Sequence, residues 1–382
     1  MPKLAELHHC TGCTACAAAC PKDCIAMKPD ADGFRHPVVD ESRCVGCGLC
    51  ERVCPVMDRA ELSHTPAAFA VRSRDEASRM ASTSGGVFTE LARDVLEKDG
   101  AVFGAAYDER FRVVHVCAEN EAELAHLRGA KYAQSDLGGS FREVKRRLET
   151  GQQVLFSGTP CQVLGLKSFL RRDYENLLLV DLVCHSVPAP LAWEKYLQYI
   201  SEGKALTAVN LRCKDTGWSR YGYSNRFDFS DGTSRLDRSG GSLYMKLFTG
   251  GYITRPSCES CPAKGYARVS DLTLGDFWGI WDIAPDMDDN KGTSLVLVQT
   301  EKGRAALAGL EQRAVTLEEA SRDNPAILRA AAPNPLREQA LALVRVGDFD
   351  AAARLIPAPA PPKKPGLLRR GLGALKRRLG RG

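Results

Sequence analysis

Fifteen cysteines stand in this 382-residue chain, and eight of them have the spacing of metal ligands. Cys10, Cys13, Cys16 and Cys20, followed by Pro21, recur as Cys44, Cys47, Cys50 and Cys54, followed by Pro55, at a constant offset of 34 residues. Gly12 and Gly46 repeat with them. Each run spells C-x2-C-x2-C-x3-C-P. Thiolate sulfur at this density selects zinc or an iron–sulfur cluster. Structural zinc sites show separated ligand pairs, whereas eight cysteines in one doubled pattern suit iron–sulfur chemistry.

Bacterial two-cluster ferredoxins carry the same run, and in them the fourth cysteine ligates the other cluster. Three cysteines on one tight loop reach three corners of a cube, so the fourth corner comes from elsewhere. The pattern predicts one [4Fe–4S] cluster on Cys10, Cys13, Cys16 and Cys54 and a second on Cys44, Cys47, Cys50 and Cys20. Gly12 and Gly46 would let backbone N–H groups approach the sulfurs. Cys24 belongs to neither set and reads as a packing residue or a spare thiol. Such clusters carry single electrons and do little chemistry themselves. The function therefore lies with whatever exchanges those electrons in the rest of the chain.

Four further cysteines make a second ligand count. Cys258 and Cys261, in RPSCESCP, form a C-x2-C pair on one loop, either ligands or a redox dithiol. Cys184 opens CHSVPAP directly after the apolar strand 177–183, and Cys161, in SGTPCQ, follows the strand 154–156. If those strands are neighbours, both thiols emerge at one sheet edge, where α/β folds place their sites. Thr159 can cap the helix after Cys161, and Pro160 suits its first position. A helix N-terminus favours thiolate. That fits a cluster ligand, or a redox or nucleophilic thiol with His185 as base; a core residue is the third reading. Cys117 and Cys213 sit in apolar strand patterns and read as core.

An electron wire commonly ends at a cofactor that exchanges one electron for two, and flavin is the usual one. Ser84, Gly85 and Gly86 open a helix, and small residues there let backbone N–H groups meet an anion; a plain capped helix start explains them equally well. Lys131 in RGAKYAQSD, the loop Gly275–Gly279 and the loop Lys291–Ser294 are further polar, glycine-containing segments. No GxGxxG follows a strand, so a Rossmann dinucleotide site is not expected.

The elements that must position these groups divide the chain in three. Residues 1–60 form a two-cluster ferredoxin-like domain, too small to bury much apolar surface without a staple. Residues 66–355 alternate strands with helices and predict a larger mixed-sheet α/β domain. A helix is expected from Ser84 to Lys98, another from Pro160, and a hairpin around Asp231-Gly232. Residues 356–382 form a Pro-rich linker and a basic tail. Lys363, Lys364, Arg369, Arg370, Lys376, Arg377, Arg378 and Arg381 supply eight charges against a total of +5, leaving the body near −3. The basic balance thus belongs to the tail and argues against nucleic-acid binding by the body. Leu368, Leu372, Leu375 and Leu379 fall on one helical face. The tail reads either as a disordered basic segment or as a weak helix for a membrane surface or an acidic partner. Met1–His9 is polar, with no signal peptide, and no segment is long and apolar enough to span a membrane. Cysteines at this number without an export signal predict a cytoplasmic protein, peripheral to the membrane at most.

TSGGVFTEL, RGAKYAQSD, FSGTPCQVLGLK, DLVCHSVPAP, SCESCPAKGYARVSDLTLGDFWG and KGTSLVLV, in that order, resemble the family of coenzyme F420 hydrogenase/dehydrogenase beta subunits. The likeness runs from about residue 67 to about residue 300, behind the ferredoxin-like segment. It implies an α/β flavoprotein with FAD and a nearby third [4Fe–4S] cluster, held by Cys161, Cys184, Cys258 and Cys261. Ser84, Gly85, Gly86 and Lys131 match the flavin-side motifs. Ser186 departs from the glycine that relatives commonly have after the Cys-His pair. The expected function is an iron–sulfur flavoprotein oxidoreductase, passing electrons between [4Fe–4S] clusters and FAD and to or from coenzyme F420 or another organic substrate. No protein nucleophile is required. The alternatives are a non-catalytic electron-transfer subunit of a larger redox complex, or a reductase in polysaccharide biosynthesis. The implied partner is a redox protein or ferredoxin.

Overall fold

The computed structural model describes residues 2–58, 62–238 and 240–358. The first stretch forms helix α1 (Ala15–Ala19), strands β1 (Ile25–Pro29) and β2 (Arg35–Val39), paired antiparallel, and helix α2 (Leu49–Arg52). The sequence repeat is a structural repeat. Cys16 lies in α1 and Cys50 in α2, and each helix starts after a left-handed residue, Thr14 (φ 64°) or Gly48 (φ 68°). The larger region runs β3 (Ala67–Arg72), α3 (Glu76–Ala81), α4 (Val87–Leu96), β4 (Ala101–Tyr107), β5 (Val113–Ala118), α5 (Glu121–Leu127), α6 (Ser140–Glu149), β6 (Val154–Gly158) and α7 (Pro160–Leu170). It continues through β7 (Leu177–Leu182), α8 (Pro190–Ser201), β8 (Leu206–Cys213), β9 (Ser224–Phe229), β10 (Ser234–Arg238), α9 (Leu243–Thr249) and β11 (Leu272–Asp276). It ends with α10 (Ile280–Ile283), β12 (Ser294–Val298), α11 (Glu301–Ala306), β13 (Glu311–Val315), α12 (Leu317–Arg322), α13 (Arg337–Arg345) and α14 (Phe349–Arg354).

Alternate residues of the central strands point to opposite faces, and both faces are buried. Val154 and Phe156 of β6 pack with Phe141 of α6 and Leu166 of α7, while Leu155 joins Leu91 of α4 and Leu124 of α5 on the other side. The result is a mixed eight-stranded sheet in the order β13-β3-β12-β11-β7-β6-β4-β5. β4, β6, β7 and β11 are parallel. β3 points the same way, because both it and β11 are antiparallel to β12. The C-terminal ends of five strands therefore share one edge. A second core, built on Trp193, Tyr196 and Tyr244, joins the three-stranded sheet β10-β9-β8 to α8, α9, α13 and α14.

The helix expected from Ser84 begins instead at Val87, and its N-cap is Gly86 at φ 80°. Ser84 is itself left-handed, at φ 56°. Residues before Val87 cannot join the helix in that conformation. The small N-terminal unit is stapled to the body by long-range polar contacts. Arg35 pairs with Asp136 (2.7 Å), Arg345 with Asp32 (2.8 Å), and the Leu191 N–H donates to the Asp32 carbonyl (3.0 Å). Among the described residues no helix is long and apolar enough to cross a membrane. The basic tail, from residue 359, lies outside the described residues.

Candidate functional site

Thiols gather in three groups. Cys10, Cys13, Cys16 and Cys54 line one cavity. Cys20, Cys44, Cys47 and Cys50 line another, and Cys24 lines it too. The Cys24 sulfur lies 3.3 Å from that of Cys20, which places the spare thiol inside the second site rather than in a separate core. Its Cys-x3-Cys spacing across the Pro21 turn was the signal for that proximity. The third group is assembled by the sheet. β6 and β7 are adjacent and parallel, with Gly158 opposite Asp181, so Cys161 and Cys184 leave the same edge. The 258–261 loop is tied to the Cys184 loop by backbone bonds: the Ala189 N–H to the Ile253 carbonyl (2.8 Å), and the Arg255 N–H to the Val187 carbonyl (2.9 Å). Pro188 and Thr254 form a bridge between the same two loops.

The electrostatics follow these groupings. Burial pushes Cys13 up to about 12, with Cys10 among its charged neighbours, while Cys16 is raised by burial and then by Cys13, Cys10 and Cys54. Cys161 is pushed up to about 11 by burial and then by Cys261, and Cys258 to about 12 by burial, with Cys161 and Cys261 adding to it. Cys184 is raised further, by burial and then by Cys258, Cys161 and Cys261. Burial thus opposes a free Cys161 thiolate at this helix start. Packed thiols that resist ionisation alone ionise readily around a cationic metal core, so each donor set fits an iron–sulfur cluster. Thr159 Oγ1 lies 3.3 Å from the Cys161 sulfur, while His185 packs edge-on against Phe248. Ser186 is buried, and its hydroxyl has no partner among the described residues.

The first group packs against the helix that carries Cys161 of the third. Gly165 of α7 faces Cys13 so closely that a Cβ there would lie 2.8 Å from the Cys13 sulfur. Between the two groups lies Arg255, only 1% exposed. Its Nε donates to the Cys10 carbonyl (2.8 Å), and its Nη atoms donate to Gln134 Oε1 (2.7 Å) and the Arg35 carbonyl (3.1 Å). Its charge favours the thiolates of Cys10, Cys161 and Cys258. Sequence reasoning missed this residue, although it stands three positions before Cys258.

Ser84, Gly85 and Gly86 lie at the same sheet edge, past the end of β3. The Ser84 hydroxyl donates to the Thr293 carbonyl (2.9 Å), and the Gly85 N–H to Ser294 Oγ (3.0 Å). A Cβ on Gly85 would run into the Val71 carbonyl oxygen, so close strand packing requires this glycine. An anion at this helix start would be met by the first amides of α4 rather than by Ser84 or Gly85. Lys214 donates to the Ser84 carbonyl (2.7 Å), and desolvation drops its amine to about 7. Lys131 donates to the carbonyls of Arg128 (2.7 Å) and Leu127 (3.2 Å) at the end of α5, and desolvation drops it to about 7 as well. Its amine lies 5.7 Å from the centre of the Tyr107 ring, at the C-terminal end of β4. Between the two lysines, Arg212 pairs with Asp276 of β11 under the rings of Trp218, Tyr223 and Trp278.

Comparison with known proteins matches three parts of the chain. A 4Fe-4S dicluster domain matches residues 9–57. The N-terminal model of the coenzyme F420 hydrogenase/dehydrogenase beta subunit matches residues 68–140, and the C-terminal model matches residues 151–323. A component of the F(420)H(2) dehydrogenase of Methanosarcina mazei is 28% identical over 201 residues, covering 48% of this chain and 56% of that protein. The coenzyme F420-dependent sulfite reductase of Methanocaldococcus jannaschii is 24% identical over 325 residues, covering 81% of this chain and 47% of that protein. The chain thus spans about half the length of these curated relatives. A chain of the F420-reducing [NiFe] hydrogenase complex from Methanosarcina barkeri aligns at TM-score 0.45 and 18% identity, over 77% of this chain and 92% of that one.

Proposed function

Because the chain belongs to the family of coenzyme F420 hydrogenase/dehydrogenase beta subunits, we propose that it is an iron–sulfur flavoprotein oxidoreductase acting on F420 or another organic substrate. Three [4Fe–4S] clusters would be held by Cys10, Cys13, Cys16 and Cys54, by Cys20, Cys44, Cys47 and Cys50, and by Cys161, Cys184, Cys258 and Cys261. When bound, they supply single-electron transfer, and FAD supplies the exchange between one electron and a hydride. The flavin would sit along the C-terminal sheet edge, between the Ser84–Gly86 turn and the Lys131 loop. There Lys131 and Lys214 offer two desolvated amines to a cofactor that gains electrons, and the aromatic side chains by Arg212 offer flat surface.

One observation supports this reading above the others: Cys13 of the first group packs against α7, the helix that carries Cys161 of the third, and the third group stands at the edge that both flavin-side loops reach. The test is the anaerobically purified chain, with iron and flavin quantified and reduced F420 then titrated in. The expected result is about twelve irons and one flavin per chain, with F420-dependent dye reduction. Protein that holds iron without flavin and does not respond to F420 would be a non-catalytic electron-transfer subunit. Cys161→Ser should remove about four irons and leave the rest.

A further inference from the structure

The body of the chain, near −3 without its basic tail, carries a local reversal of sign. A groove of about 800 Å³ opens where α1 and α2 meet α6 and the end of α7. Its walls carry Arg142, Lys145, Arg146, Arg171 and Arg172 against two carboxylates, Asp23 and Glu149. Three of the cations are engaged: Arg142 with Asp23, Lys145 with Glu149, and Arg146 with Glu143 on its own helix. Arg171 and Arg172 are exposed and enter no ion pair among the described residues. Cys20 and Pro21 line both this groove and the second thiol cavity, so the wall between solvent and that site is one residue deep. Arg142 fixes this wall by donating to the carbonyls of Ala18 (2.9 Å) and Cys20 (3.3 Å).

We propose that this groove is the docking surface for an acidic electron-transfer protein. The inference rests on the cluster reading given above and names its outer terminus. Electron transfer falls off steeply with distance, so a partner must approach one centre closely, and the groove is a concave, solvent-open surface whose lining includes Cys20 of the second thiol site. In the exchange the partner's centre loses or gains one electron and the chain's second cluster does the reverse, with no bond made or broken. The excess of positive charge in the groove, led by Arg171 and Arg172, would steer an acidic partner and fix its orientation. A bilayer is flat and cannot enter a groove of this shape. A nucleic acid gains nothing from a redox site behind the wall.

The test uses the full chain with its clusters in place, and an acidic bacterial-type two-[4Fe–4S] ferredoxin as probe. Anaerobic calorimetry reads affinity at low and high ionic strength, and stopped-flow bleaching reads electron transfer. The proposal expects tight, salt-sensitive binding. The double substitution Arg171→Glu with Arg172→Glu should weaken it by about tenfold or more at low salt and flatten its salt dependence. Arg171→Gln with Arg172→Gln should give a smaller loss, and Arg110→Glu, an exposed charge on the β4–β5 turn, almost none. Iron content and the dithionite-reduced EPR spectrum should stay unchanged in all three. Unaltered affinity of the glutamate variant, with its EPR spectrum intact, overturns the docking surface alone. Preferential binding of duplex DNA or of anionic phosphatidylserine vesicles through Arg171 and Arg172 overturns it as well. An absence of [4Fe–4S] signals in the unsubstituted chain overturns the cluster reading and the docking with it.

Discussion

Arg255 is a full positive charge in a place where water does not reach, hydrogen-bonded to carbonyl and amide oxygens rather than to a carboxylate. A buried cation without an acidic partner is costly unless something anionic balances it. Cysteine-ligated iron–sulfur centres are anionic and become more so on reduction, so the guanidinium stabilises their reduced forms. Arg255→Gln should lower the midpoint potentials of the Cys10 site and the Cys161 site by tens of millivolts and leave the Cys20 site in place. EPR-monitored redox titration reads all three, and an equal shift at every site would mark a general loosening instead. The same substitution leaves the Cys10 and Arg35 carbonyls without a donor, at a stability cost of about 2 kcal/mol or more. His115 contributes to acid behaviour. Its Nε2 contacts the Ser157 carbonyl (3.0 Å), its ring stacks on Phe156, and burial depresses it to about 4, with Asp136 opposing and Lys131 reinforcing the shift. The unfolded imidazole takes up a proton near pH 6.5, and the folded one waits until about 4. Folding therefore loses about 3 kcal/mol as pH falls through that window and is fully supported above it. His115→Gln keeps a donor for Ser157 and should flatten this slope in thermal unfolding compared between about pH 7 and about pH 5.

Helix α7 holds Cys161 at its start, and its face packs on the loop of Cys13. In an isolated helix Gly165→Ala would add about 1 kcal/mol of stability. Here the added methyl would fall 2.7 Å from the Cys13 Cβ and 2.8 Å from its sulfur, and overpacking costs about 1–3 kcal/mol. The clash should win. The expected result is a chain that folds but loses about four irons from the Cys10 site, read by iron analysis and EPR, with the Cys20 site retained. Elements of this kind also mark where the sequence was legible. The two ferredoxin-like loops announce themselves, because three cysteines within seven residues are a local signal and the repeat states the pairing. Cys161 and Cys184 were readable through the strands in front of them, since parallel strands end at a common edge. The start of α4 was not readable. Ser84 and Gly86 adopt left-handed conformations because the turn is pinned to Thr293 and Ser294, more than 200 residues away. Gly165 beside Cys13 and Arg255 beneath Cys10 are likewise contacts between distant segments, and no local spacing encodes them.

At the scale of the whole molecule the thiol groups have an order. The groove opens on the Cys20 site, the Cys10 site lies within the same small unit, α7 brings it against the Cys161 site, and that site stands at the sheet edge shared by the Ser84 and Lys131 loops. A linear order and a branched one differ in what a single lesion does. Cys47 is exposed, so Cys47→Ser changes the outermost site with the least disturbance of packing. On the linear order this variant should keep about eight irons and keep its response to reduced F420. It should lose electron exchange with an acidic ferredoxin while still binding it, since Arg171 and Arg172 are untouched. Cys184→Ser, at the inner end, should do the opposite: the ferredoxin still reduces the two outer sites, and reduction of those sites by F420 disappears. Retained ferredoxin exchange in the Cys47→Ser variant would mean that electrons enter at the Cys10 site directly, with the groove serving only to hold the partner. Rapid-mixing spectra of the two variants, each offered F420 and ferredoxin in turn, decide between these orders.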